Sequence, residues 1–212
     1  MNSKHIIFFS LLAGAIAFGS CKKKVDGCTD AAADNYNLNA TDDDGSCQYS
    51  KHIGDSYEGG IVFYVDGDHG LIAAPSDQSD NIQWYNGTYF ATLVTATLPF
   101  SGDNNTAQIV ALQGDGNYAA KLCSDLELNG YDDWYLPAKS ELGELYEQRV
   151  IVGGFAQDFY WTSTENNIDT QNRRDSLAWY INFTDSLSGY ENCNYKNFEA
   201  RVRAIRAFKF GS

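Results

Sequence analysis

The residues that could carry chemistry in this chain are mostly acids, with 28 Asp and Glu against 15 Lys and Arg and three His. Paired carboxylates can serve as general acid and base. Asp132, Asp133, Glu141 and Glu165 stand closest to the elements where a substrate would sit. A second role competes with that one. Arg201, Arg203 and Arg206 are interleaved with Val202, Ile205 and Phe208. Charges so flanked need partners, and structural ion-pair networks perturb carboxylates as much as catalysis does. The ion-pair role is favoured. His5 lies in an apolar N-terminal run, His52 at a junction and His69 in a Gly/Asp turn. None has the His-Glu-x-x-His spacing of a metal site, and no Cys-x-x-Cys occurs. A Ser-His-Asp triad would have to recruit His52 or His69 with no nucleophile elbow in the sequence. Gly114-Asp-Gly116 falls between two expected helices and lacks a third glycine and a preceding strand, so it is not a nucleotide loop. Asp42, Asp43, Asp44 and Gly45 invite a calcium reading. With Gly45 as the invariant glycine of an EF-hand, Ala40 and Lys51 fall at positions one and twelve, and the pattern fails. A solvated cluster of Asx turns is the preferred role. No cofactor is expected, and calcium is the one ion the acidic loops leave open.

Binding chemistry is better represented. Residues 165–176 are polar and charged, and include Glu165, Asn166, Asn167, Asp169, Asn172 and Arg173. These side chains can exchange hydrogen bonds with sugar hydroxyls or a polar protein surface, beside the rings of Trp161 and Trp179. A long polar connection between strands is where function concentrates.

The elements that must position these groups turn on one corner. Trp134-Tyr-Leu136 reads as extended and Pro137 as the start of a helix, because proline fixes its own φ and holds its predecessor extended. Leu142, Leu145, Tyr146 and Arg149 then recur at helical spacing. Ala138 in the cap position would leave a capping box half made, with Glu141 three residues on. Upstream, residues 59–65 and 71–74 read as strands joined through Asp66-Gly-Asp-His-Gly70, a hairpin signal. Helices are expected from Thr106 to about Gln113 and from Asn117 or Tyr118 to Leu126. Strands are expected over 159–164, 177–183 and 202–208.

The N-terminus gives an address. Lys4 and His5, the apolar residues 6–18 and Gly19-Ser20 read as an export signal, too short to span a membrane. Phe18-Gly-Ser-Cys21 resembles a bacterial lipobox, which implies lipidation of Cys21 and anchoring in the bacterial cell envelope, at the outer membrane. The expected parts are residues 1–20 as signal, 21–26 as tether, 27–50 as a small stapled module and 52–210 as the main domain. Cys28, Cys47, Cys123 and Cys193 remain, an even set that suggests disulfides in an exported protein. Proximity pairs Cys28 with Cys47 and Cys123 with Cys193, with a buried free thiol at Cys123 as the alternative. Net charge is −13, or −14 without residues 1–20, which hold one Lys and no acid. Such a surface repels nucleic acid and other polyanions.

Two resemblances extend this reading. Cys28-Thr-Asp, Asn35-Tyr-Asn and Asp43-Asp-Gly-Ser-Cys47 resemble a short module of exported Bacteroidetes-type proteins. Tyr131-Asp-Asp-Trp-Tyr-Leu-Pro-Ala-Lys-Ser-Glu-Leu142, Tyr160-Trp-Thr-Ser-Thr-Glu165, Ala178-Trp179 and Val202-Arg-Ala-Ile-Arg-Ala-Phe208 resemble the Lcl C-terminal domain family in order and content. Gly59-Gly-Ile-Val-Phe-Tyr64 and Gly70-Leu-Ile-Ala-Ala-Pro-Ser-Asp-Gln-Ser79 extend the match to residues 53–208. The resemblance implies an α+β, C-type-lectin-like fold, with small twisted antiparallel sheets, two or three helices, and termini brought together by the first and last strands. The leading expectation is a non-catalytic envelope domain that binds a glycan or protein, with a carboxylate-based hydrolase or modifying enzyme and a purely structural envelope module as the alternatives. The calcium-binding Glu-Pro-Asn, Gln-Pro-Asp and Trp-Asn-Asp motifs of true C-type lectins are absent, and at −14 a glycosaminoglycan ligand is not carried over.

Overall fold

The computed structural model describes residues 23–31, 33–48, 50–89, 91–166, 176–184 and 189–209. The chain forms two compact units that divide between Ser50 and Lys51.

In the first unit, β1 (Asp26–Gly27) pairs in parallel with β2 (Asp42–Asp43), and the Cys28–Cys47 disulfide closes the segment between them. So short a chain has almost no core, and a cross-link that restricts its unfolded state is what holds it. Asp43 and Asp44 accept the amides of Gly45 and Ser46 at 3.1 and 2.9 Å, the Asx-turn geometry.

The second unit holds two sheets and four helices among the described residues. One sheet is antiparallel, built from β3 (Ser56–Tyr57), β4 (Gly60–Asp66), β5 (His69–Ala73) and β11 (Ile205–Lys209) in the order β11-β5-β4-β3. The Asp-Gly hairpin joins β4 to β5, with Gly67 at φ +59. His69 lies in β5, one residue beyond the turn in which the sequence placed it. The other sheet is mixed, built from β6 (Ser79–Gln83), β7 (Phe159–Glu165), β8 (Leu177–Asn182), β9 (Glu191–Tyr195) and β10 (Glu199–Val202) in the order β6-β10-β7-β8-β9. Helix α1 (Gly102–Gln113) starts four residues earlier than expected, and α2 (Ala119–Ser124) is shorter. After the Leu136–Pro137 corner comes α3 (Lys139–Glu147), followed by α4 (Arg149–Val152). This α+β architecture is compatible with a C-type-lectin-like fold. The entry and exit strands share one sheet, at opposite edges rather than side by side.

Two buried clusters lie against these sheets. One gathers Trp84, Ile109, Tyr118, Cys123, Trp134 and Trp161. The other gathers Phe63, Tyr135, Leu142, Leu145, Tyr160 and Phe183, with the expected face of α3 in it. The single C-terminal strand expected over 202–208 is two strands in different sheets, because the chain breaks at Arg203. That side chain is 1% exposed. It donates to Asp77 at 2.8 Å and to the carbonyls of Ala74, Gly153 and Gly154 at 3.1, 3.4 and 2.6 Å. A guanidinium so deeply placed needs every donor occupied, and a continuous ladder could not deliver it there.

The Cys123–Cys193 pairing does not form. Cys123 is buried on α2 in the first cluster and Cys193 is half-buried on β9, and both are free thiols. Spacing in sequence misled here, since helix and edge strand belong to different layers.

Candidate functional site

The expected site residues separate into core and surface. Trp161 is fully buried, donates its indole N–H to the Ile82 carbonyl at 2.9 Å, and packs against Tyr180 and Phe198. Its ring has no open face for a ligand, which corrects its placement at the surface. Glu165 is 1% exposed at the end of β7. Its carboxylate forms an ion pair with Lys196 and accepts the amides of Thr92 and Leu93 at 3.0 and 2.6 Å. Every strong interaction of that carboxylate is with the protein, so it too is structural. Asn166 is 7% exposed, with its amide on the Leu177 carbonyl at 3.0 Å. Asn167, Asp169, Asn172 and Arg173 lie outside the described residues, as does Cys21.

Trp179 remains at the surface. It is half-buried on β8, with the Lys139 ammonium 4.1 Å from its ring centroid. Lys139 also pairs with Glu191 at 2.6 Å. In the β8–β9 register, Leu177 faces Tyr195 and Trp179 faces Cys193. Cross-strand partners and alternate residues share a face, so Trp179, Cys193 and Tyr195 form one strip along the sheet edge. Tyr195 is 43% exposed. The segment after β6 brings Tyr85 and Tyr89 beside the strip, with their rings 4.7 Å apart. The Tyr89 phenol is held above its ordinary value, first by partial burial and then by its neighbours Tyr85 and Tyr195.

A rigid foundation lies beneath. Lys196 follows Tyr195 directly, points inward, and sits 4.7 Å from the Trp84 ring as well as on Glu165. Glu165 holds the segment at Thr92 and Leu93, and its own amide donates to the Val94 carbonyl at 2.7 Å. Tyr85, Tyr89, Tyr195, Lys139 and Lys196 escaped the sequence reading. The tyrosines carried no signal beyond their abundance, and an isolated Lys gives no sign that it is buried.

Of the other candidate carboxylates, Asp132 is exposed, while Asp133 and Glu141 are engaged structurally. Asp133 takes Arg206 in a two-pronged contact at 2.6 and 2.8 Å, while Glu58 accepts the same guanidinium at 2.8 Å. Glu141, fully buried, accepts the amides of Ala138 at 2.6 Å and Gly102 at 3.4 Å, which joins the N-termini of α3 and α1. Burial pushes its carboxyl up to about 7, against these hydrogen bonds. Arg201 reaches Asp158 at 3.1 Å and Asp77 at 3.3 Å. Of the three arginines, only Arg206 meets one of the expected partners. Among the described residues no group of three His, Cys, Asp or Glu is arranged to hold a metal ion.

With the fold and this face established, residues 74–206 match the family described as the Lcl C-terminal domain. The chain belongs to the Lcl C-terminal domain family. The matched region runs from the end of β5 through Arg206, and so contains the corner, the buried Glu165–Lys196 pair and the aromatic strip. No curated protein matches the chain. No described helix of this Lcl C-terminal domain protein is long and apolar enough to cross a membrane.

Proposed function

We propose that this protein is a cell-envelope lipoprotein whose Lcl C-terminal domain is a non-catalytic binding module for a neutral glycan. The ligand would lie along the strip of Trp179 and Tyr195 with Tyr85 and Tyr89, and residues 166–176 would supply polar contacts. One observation carries this reading: half-exposed aromatic rings stand on a frame fixed by a buried ion pair. Aromatic faces receive the apolar faces of sugars, and a preorganised surface binds at lower entropic cost. The engagement of Glu165, Asp133 and Glu141 in structural contacts supports binding over acid–base catalysis. A charge of −14 turns polyanionic glycans away and leaves neutral ones.

A glycan array probed with the full chain, with and without EDTA, tests this. Binding to neutral glycans that survives EDTA and is lost in Trp179→Ala is expected. Binding that EDTA abolishes and calcium restores overturns the metal-free site. A signal indifferent to Trp179→Ala moves the site elsewhere, and capture of proteins alone replaces glycan with a protein partner. Anchoring rests on the lipobox: Cys21→Ala should leave the membrane fraction and lose the mass of the acyl chains.

A further inference from the structure

The chain has four tryptophans, and Trp84, Trp134 and Trp161 are packed into the first core cluster at 1%, 2% and 0% exposure. Trp179 lies outside both clusters, half-buried, with its ring at the surface. That ring is not bare. The Lys139 ammonium lies over it, 4.1 Å from the centroid, and the Glu191 carboxylate holds the ammonium at 2.6 Å. Both ends of this clasp come from fixed elements. Lys139 is the first residue of α3, with its amide on the Thr164 hydroxyl at 3.1 Å. Glu191 opens β9, on the same side of the strand as Cys193, which faces Trp179 in the β8–β9 register. The body of α3 covers that face of the sheet, since Ile181, on the same side of β8 as Trp179, shares a cluster with Leu142 and Leu145. Trp179 emerges at the helix N-terminus, and Lys139 extends over it.

Helix stability does not account for this lysine. A cation in the first turn opposes the helix dipole, and a neutral or acidic residue there would serve α3 better. The contacts that hold the ammonium are weak and reversible. The Lys139 and Glu191 side chains are 22% and 42% exposed, so water and salt screen their attraction, and a cation–π contact at such a site is modest.

We propose that Lys139 is a displaceable cover on Trp179, tied down by Glu191, that sets how readily a ligand reaches the aromatic strip. The effect on sugar binding rests on the glycan reading above, whereas the cover itself does not. A ligand that stacks on the covered face of Trp179 must first lift the ammonium, so its apparent affinity is scaled down by the fraction of rings that are open. The cover also gives a neutral ligand a salt dependence it would otherwise lack. Salt loosens the Lys139–Glu191 tie, so binding tightens as salt rises, the opposite of a contact made by charge attraction.

Acrylamide quenching of tryptophan fluorescence in the full chain tests the cover without any ligand, with Trp179→Phe supplying the contribution of the three buried rings. In about 0.01 M NaCl the unsubstituted chain should be quenched weakly. Lys139→Ala should raise the Trp179 quenching constant about twofold or more, and Glu191→Gln should raise it by less. Lys139→Arg, which keeps a cation over the ring, should leave it near its starting value. NaCl at about 0.5 M should bring the unsubstituted chain toward Lys139→Ala, while Lys139→Ala itself stays flat. Its melting temperature should not fall, which separates a cover from a prop of the fold. Cellohexaose and maltohexaose, titrated separately, then read the effect on binding. A hexasaccharide that binds should bind Lys139→Ala about twofold to tenfold more tightly, and the unsubstituted chain more tightly in high salt. Equal quenching of the unsubstituted chain and Lys139→Ala at both salt concentrations overturns the cover. Weaker sugar binding by Lys139→Ala also overturns it, because Lys139 would then be a direct contact. If neither sugar binds, the glycan reading fails for these chains, and quenching alone decides the cover.

Discussion

Lys196 places its ammonium on the carboxylate of Glu165, with both side chains at 1% exposure or less. Two charges withdrawn from water are tolerated only while each has the other. Loss of one partner strands the second, which typically costs about 3–5 kcal/mol. Lys196→Met is therefore expected to destabilise the domain by that amount, seen as a lower denaturation midpoint in urea. Glu165→Gln with Lys196→Met should recover part of the loss, because no charge is left buried and the one carbonyl oxygen of the new amide can still accept one of the Thr92 and Leu93 amides. A double variant no better than the single one would show that the pair's role is not mutual neutralisation.

The cap of α3 is supplied from outside the helix. Ala138, at φ −65 and ψ 167, occupies the cap and has no side-chain oxygen, so only the Glu141 half of a capping box exists. Thr164 on β7 accepts the amide of Lys139 at 3.1 Å, and the Thr97 carbonyl accepts that of Ser140 at 3.1 Å. Ala138→Ser should thus gain only about 0.5 kcal/mol, the low end for a cap, with an unchanged m-value. Thr164→Val should lose about 1 kcal/mol, because the Lys139 amide and the hydroxyl's bond to the Ala96 carbonyl go together.

Glu141 gives a pH signature with an unusual sign. Its carboxyl stands at about 7 in the folded protein against an ordinary 4.5. Between these values the folded state binds the proton more tightly than the unfolded state. Its stabilising contribution is full below pH 4.5 and is lost as pH rises through 7. The amplitude is about 3 kcal/mol, set by the gap between the two values. Glu141→Gln should remove this slope, so the stability difference between the two proteins should change between pH 5 and pH 8. Parallel curves would show that the helix N-termini keep the carboxylate ionised at its ordinary value.

Thiol chemistry separates the cysteines. A non-reducing peptide map should recover Cys28–Cys47 as the bridge, with Cys123 and Cys193 free. In the native protein a thiol reagent should modify Cys193 and spare Cys123, whose thiol burial pushes well above its ordinary value. Modification of Cys123 at the same rate as Cys193 would mean that α2 opens readily.

What the sequence revealed was local. Pro137 and the Asp-Gly turn act through their own backbone, so the corner and the β4–β5 hairpin could be read directly, and the family motifs carried the α+β class. What stayed hidden depends on partners far along the chain. Nothing in Val202-Arg-Ala-Ile205 announces that Arg203 dives toward Asp77 and splits the strand. Glu191-Asn-Cys-Asn-Tyr195 has no apolar alternation, so β9 escaped notice. At the proposed site, the place of Trp179 at the surface was legible, while residues 167–175 of the polar connection lie outside the described residues. The burial of Trp161 and Glu165 was not legible, because a tryptophan and a glutamate beside a polar loop look alike whether they face water or a buried lysine.

The pairing of β11 with β5 matches Ile205 to Ala73, residues near opposite ends of the domain. Closing so long a loop is entropically slow, and no local contact can stand in for it. A chain emerging N-terminus first has β4 and β5 ready long before their neighbour exists. The sheet cannot be sealed until Ile205 has cleared the ribosome. Until then the edge of β5 is bare, a row of unpaired backbone groups on which another chain could add a strand before the domain closes.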